Sequence, residues 1–290
     1  MDKRETLDDA ISRLSDGMTI GIGGWATRRK PMALVRALAR SPLKDLTVVS
    51  FGGPDVGLLA ASGKIKKLVF AFVSLDQYPL DPHFRAAREA GLPVFELDEG
   101  LLHWGLRAAA MKLPFLPSRL GVGTDLIRQD GFATVTSPFA DGETLVAMPA
   151  IKLDAALLHV HCADQRGNTV TLSSDPFFDE LMARAADQVI VSAERIVPTA
   201  ELEIASQGPR NLFERALVTS VVEAPFGAHP TSASPDYAID VEQLKAYVDA
   251  AASADAWAAY RADFVDTDPA AYLAAVGGAE RVSALPTVIY

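Results

Sequence analysis

A single cysteine, Cys162, stands in 290 residues. That excludes an internal disulfide framework and fits a reducing compartment. No apolar run reaches the ~18–20 residues that a bilayer-spanning helix needs. The N-terminal Met-Asp-Lys-Arg-Glu leads into an acidic segment rather than the apolar core of a signal peptide. A soluble, cytoplasmic protein with no membrane partner is expected. Basic charge is also scarce: 27 Lys and Arg face 37 Asp and Glu, for a net charge of -10. Phosphate backbones require a dominant basic face, so nucleic acid is excluded as the main partner. Internal repeats are missing as well.

What remains is ordinary globular composition, 49% hydrophobic and 22% charged. The chain is long enough to bury a sizeable core, as two domains or one large α/β unit. Leu7, Ala10, Ile11 and Leu14 recur at helical spacing, with Asp8 and Asp9 in a first turn where the helix dipole favours negative charge. Asp16-Gly17 stops that helix, Met18–Ile22 reads as a buried strand, and Pro31 suits the first position of a helix running to about Arg40. Leu46–Ser50 is a strand. The alternation continues through strand 68–73, helix 81–90, strand 93–97 and a helix from Asp98 or Glu99 to about Met111. Strands at 145–148, 155–161 and 169–172 precede a helix at 175–186 and strands at 188–192 and 216–222. This order predicts an α/β fold, an open and mostly parallel sheet with helices on both faces. Residues 1–240 form the expected α/β domain, with a Gly/Pro-rich ordered loop at 222–235. Residues 241–290 form a helical C-terminal extension packed on it.

Gly21-Ile-Gly23-Gly24-Trp25-Ala26 follows a strand and matches the dinucleotide pattern G-x-G-x-x-G/A. The next helix begins too late for a tight phosphate-binding turn, and Ser50-Phe51-Gly52 stand where a ribose-binding acid belongs. Both details weigh against a nicotinamide cofactor. A second reading points the glycine amides at a developing negative oxygen, where one preorganised donor is worth ~3 kcal/mol to acyl transfer. A plain tight connection is the third.

Asp16-Gly17-Met18-Thr19-Ile20-Gly21-Ile22-Gly23-Gly24-Trp25, with Pro31 downstream, resembles the first-subunit motif of family I coenzyme A transferases: D-G-x-x, three apolar residues, G-G-F and a later proline. Trp25 replaces Phe, and Gly21 falls inside the apolar triplet. Further matches lie at Phe51–Asp55 with Gly63–Lys67, at Leu113–Arg119 with Gly123–Asp125, and at Pro149–Ala155, Ala163–Asn168 and Ala224–Pro230. They cover roughly residues 6–240, and their order along one chain is the specific signal. Trp25 with Arg28–Ala33, Gly52–Asp55, and Asp98-Glu99-Gly100 through Leu106 look like one branch of the family. That branch is the alpha subunit of a hydrolase that opens a ring of a cyclic β-keto acyl-CoA in bacterial steroid (cholesterol, bile acid) catabolism.

The resemblance implies catalytic roles for Glu99 and Arg119. It also implies a beta subunit, since the transferase glutamate nucleophile lies in a Ser-Glu-Asn-Gly segment that this chain lacks. Coenzyme A would enter as part of the acyl-CoA substrate, with no tightly bound cofactor. Ordinary CoA transfer between carboxylic acids and a non-catalytic acyl-CoA-binding module are the alternatives.

From the residues themselves, Glu99 is either a first-turn carboxylate on a helix dipole or a partly buried general base activating water or substrate. Arg119 is either a surface arginine or a bidentate grip on a substrate carboxylate. Gly23 and Gly24 are candidate oxyanion donors beside Trp25. Gly52, Gly53 and Pro54 either line the acyl crevice or form a plain turn. Arg28, Arg29 and Lys30, like Lys64, Lys66 and Lys67, either meet anionic groups of an acyl-CoA or are solvated charge. His159 and His161 share a strand face near Cys162 and Asp164, but no further ligands at familiar spacing support a metal. His103 and Trp104 read as helix packing, and Cys162 takes no part in the proposed chemistry.

Overall fold

The computed structural model describes residues 2–139, 142–206 and 211–286. The first half alternates β1 (Arg4–Glu5), α1 (Leu7–Ser12), β2 (Thr19–Ile22), α2 (Met32–Arg40), β3 (Leu46–Gly52) and α3 (Pro54–Ala61). Next come β4 (Ile65–Val73), α4 (Pro82–Glu89), β5 (Val94–Glu96) and α5 (Glu99–Ala110). Short strands β6 (Phe115–Ser118), β7 (Ala133–Thr136) and β8 (Thr144–Pro149) precede β9 (Leu153–Ala163) and β10 (Thr169–Val170). The second half continues with α6 (Asp179–Ala185), β11 (Ala186–Ile196), α7 (Thr199–Ser206) and β12 (Val218–Glu223). Helices α8 (Val241–Asp249), α9 (Ala254–Phe264), α10 (Pro269–Ala275) and α11 (Gly278–Ser283) close the described chain. The last four residues of the expected extension, 287–290, lie outside the described residues.

The main sheet runs β1-β12-β11-β9-β2-β3-β4-β5, with β10 paired antiparallel to β9 and every other pair parallel. Strand β9, almost continuously apolar and buried along its length, sits at the centre, as expected of a strand covered on both faces. One face buries Ile20, Ile22, Val48 and Leu157 under α1–α4 and the C-terminal helices, through Leu34, Leu38, Leu59 and Tyr247. The other buries Val49, Val69, Ala156 and Leu158 under α5 and α6, through Leu102, Leu106 and Met182. Chain order reverses beside β2: the chain first builds outward through β3, β4 and β5, then returns to β2's other side with β9 and builds outward through β11 and β12.

Several expectations change. Residues 145–148 do not join the parallel sheet; β8 pairs antiparallel with β6 and β7 in a separate three-stranded sheet. Its burial alternates instead of being continuous, the signature of a sheet with one face open. Strand β6 was hidden by Pro117, which an edge strand tolerates. The 169–172 strand shortens to β10. Helix α3 goes unpredicted although Pro54 occupies its first turn. Helix α6 starts at Asp179 rather than 175, because Phe177 holds a left-handed conformation with φ 53°. The loop at 222–235 carries cis peptides at His229-Pro230 and Ser234-Pro235. Among the described residues, no helix is long and apolar enough to cross a membrane.

Candidate active site

Strand β2 delivers Gly23 and Gly24 to the carboxyl end of the sheet, but their amides are already occupied. Gly23 N–H extends the ladder to the Leu157 carbonyl at 2.9 Å. Gly24 N–H donates to Asp179 Oδ1 at 2.9 Å. The next two amides, of Trp25 and Ala26, donate to the carbonyls of Arg28 and Phe51. The oxyanion role expected of Gly23 and Gly24 is therefore corrected. A buried N–H that already donates to a fixed acceptor is not presented to a ligand, and the same holds for a dinucleotide diphosphate. Gly24 is needed for its backbone: at φ 73°, an added Cβ would lie 2.5 Å from the Arg28 carbonyl oxygen.

Gly52, Gly53 and Pro54 are all buried, so they do not line an open crevice in this chain. A Cβ on Gly53 would stand 1.8 Å from the Ala26 carbonyl oxygen. The two glycine segments thus press together backbone to backbone at Ala26, next to Trp25 in the chain. The cationic run Arg28–Lys30 is neither phosphate-facing as a whole nor solvated. Arg29 is 1% exposed and pairs with Asp179 at 2.5 Å, while donating to the His159 carbonyl at 2.8 Å. Lys30 is wholly buried, 2.8 Å from Ser50 Oγ and 3.3 Å from Asp55 Oδ2. Burial pushes Lys30 below its ordinary pKa, and Asp55 pulls the other way. Buried charge persists only when paired and hydrogen-bonded, and both ion pairs hold the glycine loop to the sheet. Lys64 is also buried, bonded to the Ser41 carbonyl, whereas Lys66 and Lys67 are exposed.

Glu99 opens α5, whose Asp98 caps the helix by accepting from Leu101 N–H at 2.8 Å. Leu101, Leu102 and Leu106 bury one face of α5. A Cβ on Gly105 would meet Ile151 at 2.6 Å, so this close approach also fixes the helix. The rotation leaves Glu99 exposed, not partly buried as expected, with its Oε1 accepting from Trp25 Nε1–H at 3.3 Å. Trp25 packs edge-on against Phe72 at 5.0 Å and lies under the Arg28 guanidinium at 5.0 Å. Arg28 is held by Asp76 at 3.0 Å. One turn on, His103 shares the Glu99 side of α5 and approaches Phe178, which stacks on Phe51 at 3.9 Å. Burial, with the charge of Arg107, pushes His103 below its ordinary pKa. The structure therefore brings Trp25, Arg28 and Glu99 together at the strand ends, beside an aromatic floor of Phe51, Phe72 and Phe178.

Arg119 directly follows β6 of the small sheet, with its side chain 78% exposed. Its fork meets Glu143 through two 2.7 Å bonds, so in this chain it grips an internal carboxylate. The following residue, Leu120, lies against Gly100, where an added Cβ would stand 2.3 Å from Leu120 Cδ1. The Arg119 segment thus borders the start of α5.

Sequence reasoning missed Asp179, which anchors both Gly24 and Arg29, along with Phe72 and Phe178. The Glu99/His103 spacing of four was the available signal for His103. Both ring nitrogens of His159 are engaged within the protein. It bonds Ser192 Oγ and Glu194 Oε1, both at 2.8 Å, and Glu194 accepts from Tyr237 O–H and Phe226 N–H, each at 2.5 Å. His161 bonds the Ser234 carbonyl at 2.8 Å. Both tie the 222–235 loop to the sheet. Among the described residues, no group of three or more His, Cys, Asp or Glu side chains could hold a metal ion.

An open parallel α/β sheet whose candidate site gathers at the strand ends, on a glycine loop after the central β2, defines the class. Residues 4–223 match the Coenzyme A transferase family model, and the chain belongs to that family. It is 49% identical over 283 residues to the cholesterol ring-cleaving hydrolase IpdA subunit of Rhodococcus jostii, covering 95% of this chain and 96% of that protein. Glutaconate coenzyme A-transferase from Acidaminococcus fermentans matches the fold with TM-score 0.92 at 29% identity, over 99% of this chain and 96% of that one. A cysteine-to-serine variant of the decarboxylase AibA/AibB matches with TM-score 0.79 at 33% identity, over 89% and 97%.

Proposed function

We propose that this chain is the alpha subunit of a heteromeric, cytoplasmic enzyme that hydrolytically opens a ring of a cyclic β-keto acyl-CoA in steroid breakdown. The observation that carries the reading is the 49% identity, over nearly the whole of both chains, to a subunit named as a cholesterol ring-cleaving hydrolase. The placement of Glu99 supports it, because ligands of open α/β sheets sit outside the carboxyl ends of the strands. In the proposed reaction Glu99 removes a proton from water, and the hydroxide adds to the ring ketone. The tetrahedral adduct collapses with cleavage of the bond between the α and β carbons. The electron pair stays on the α carbon as a thioester enolate, and the Glu99 proton returns there. One water is consumed, and a single open-chain product results, bearing a new carboxylic acid at the former ketone carbon and the CoA thioester. Trp25 orients the carboxylate of Glu99, and Arg119, released from Glu143, would grip a substrate carboxylate. Coenzyme A takes part only as a portion of the substrate. A beta subunit is proposed because the matched proteins are subunits or two-component assemblies by name.

The test is co-purification with a beta subunit, addition of a cyclic β-keto acyl-CoA, and detection of the ring-opened CoA product. Retained activity in Glu99→Ala removes the role of that residue. The 0.92 TM-score to a glutaconate CoA-transferase keeps ordinary CoA transfer as a second reading. Hydroxylamine trapping of a glutamyl-CoA thioester on the beta subunit would establish transfer, and the hydrolase gives none.

A further inference from the structure

A second feature lies where the order of the sheet reverses. The connection after β2 leads to α2 on one face of the sheet, and the connection after β9, by way of β10, leads to α6 on the other, the usual position of a ligand crevice in an open α/β sheet. Beside it is a cavity of about 360 Å3, lined by Arg28 from the loop after β2, Ser174 and Phe177 from the connection between β10 and α6, and Ser232, Ile239 and Val241 from between β12 and the start of α8. Its volume is in the range of small-molecule sites; more of the surface it presents is apolar than polar, although polar and charged residues, Asp175 among them, outnumber the apolar ones in its lining.

The backbone around it is strained. Arg29 (φ 47°), Asp76 (φ 58°) and Phe177 (φ 53°) are non-glycine residues in the left-handed region. Each such conformation is unfavourable for a residue with a Cβ and persists only where its surroundings over-determine it. The surroundings do so here: Arg29 N–H donates to the Ser232 carbonyl at 2.7 Å, and Phe177 N–H to Asp175 Oδ1 at 3.0 Å. Arg28 joins this cavity to the candidate active site, since it lies in the cavity wall and over the Trp25 ring that bonds Glu99.

We infer that this cavity holds the apolar portion of the acyl group beyond the ring that is opened, with an oxygen substituent of that portion bonded by Arg28 or the Ser174 and Ser232 hydroxyls. The inference rests on the proposed function for the acyl class, and on the cavity alone for the location. A ligand seated there passes Arg28 to bring its reactive carbonyl toward Glu99.

The experiment uses the complex with the partner subunit, in a Glu99→Gln background that retains the ester uncleaved. A cyclic β-keto acyl-CoA and free coenzyme A are titrated separately by calorimetry. Ser174→Trp and Ile239→Trp fill the cavity from two separate segments of its lining, and Ser174 is exposed, so its variant folds even where the other does not. The expected result is at least a tenfold loss of affinity for the ester, with affinity for free coenzyme A unchanged. No saturable ester binding, or unchanged ester affinity in the variants, overturns the assignment. The two proposals fail separately. If the complex without the Glu99 change opens the ring, and the tryptophan variants do so with the same KM, the cavity assignment falls alone. If it opens no ring, yet the variants weaken ester binding, the reaction falls and the cavity stands.

Discussion

The indole nitrogen of Trp25 lies 3.3 Å from the Glu99 carboxylate, joining the loop after β2 to the first turn of α5 across 74 residues of chain. A tryptophan in place of the phenylalanine of the family pattern supplies a donor that phenylalanine lacks. Glu99→Gln should lower kcat for ring opening by roughly 10²–10⁴-fold, the usual worth of a general base. Trp25→Phe keeps an aromatic ring but loses the indole N–H bond and part of the contact with Phe72 and Arg28, so a smaller loss, about tenfold, is expected. Both are read from the rate of ring-opened CoA product, with melting curves near those of the unmodified complex because Glu99 is exposed.

The Arg29–Asp179 pair should dominate the stability of the glycine loop. Removing one partner of a buried pair leaves an uncompensated charge and costs about 3–5 kcal/mol. Asp179→Ala should show that loss in urea denaturation, and it also frees the Gly24 amide. The double variant Arg29→Met with Asp179→Ala should recover part of it. A double variant no better than the single one would show that the charge is not the main cost.

Gly53→Ala tests the contact between the two glycine segments. With its Cβ 1.8 Å from the Ala26 carbonyl oxygen, backbone must move rather than a side chain. A loss of at least about 2 kcal/mol is expected, with a change in Trp25 fluorescence because Ala26 adjoins it. A variant as stable as the parent would contradict the packing described.

Asp81 links stability to pH. It caps α4, accepts from the Tyr247 hydroxyl of α8 at 2.8 Å, and is pushed by burial up to about 7 from an ordinary 3.8. The folded state therefore holds this proton more tightly than the unfolded state. The contribution is fully present below pH 3.8 and is lost as pH rises through 7. Asp81→Asn cannot ionise and retains an acceptor for the cap. The melting temperature of the parent relative to Asp81→Asn should fall steadily between pH 4 and 7.5. A flat difference would show that Asp81 keeps an ordinary affinity for its proton.

Much of the architecture was legible because its signals are local. The capping Asp98 before α5, the apolar run of β9 and the stop at Asp16-Gly17 each act within a few residues. The small antiparallel sheet was not legible, since β6 carries Pro117 and β8 reads like any other short apolar strand until its partner is known. The candidate site was legible in part. Trp25, Arg28 and Glu99 converge, whereas Gly23 and Gly24 donate their amides within the chain and Gly52–Pro54 are buried.

By itself the sequence determined the alternating α/β order, the motifs shared with the coenzyme A transferases, and the anionic character that disfavours nucleic acid. Only the tertiary structure decided the state of the charged run beside the glycine loop. Arg29 and Lys30 look solvent-facing in one dimension because their neighbours are charged or polar. They are buried because Asp179, 150 residues beyond Arg29, and Asp55 are brought against them by the sheet. Coulomb attraction in a region shielded from water then offsets a desolvation cost that no local pattern reveals.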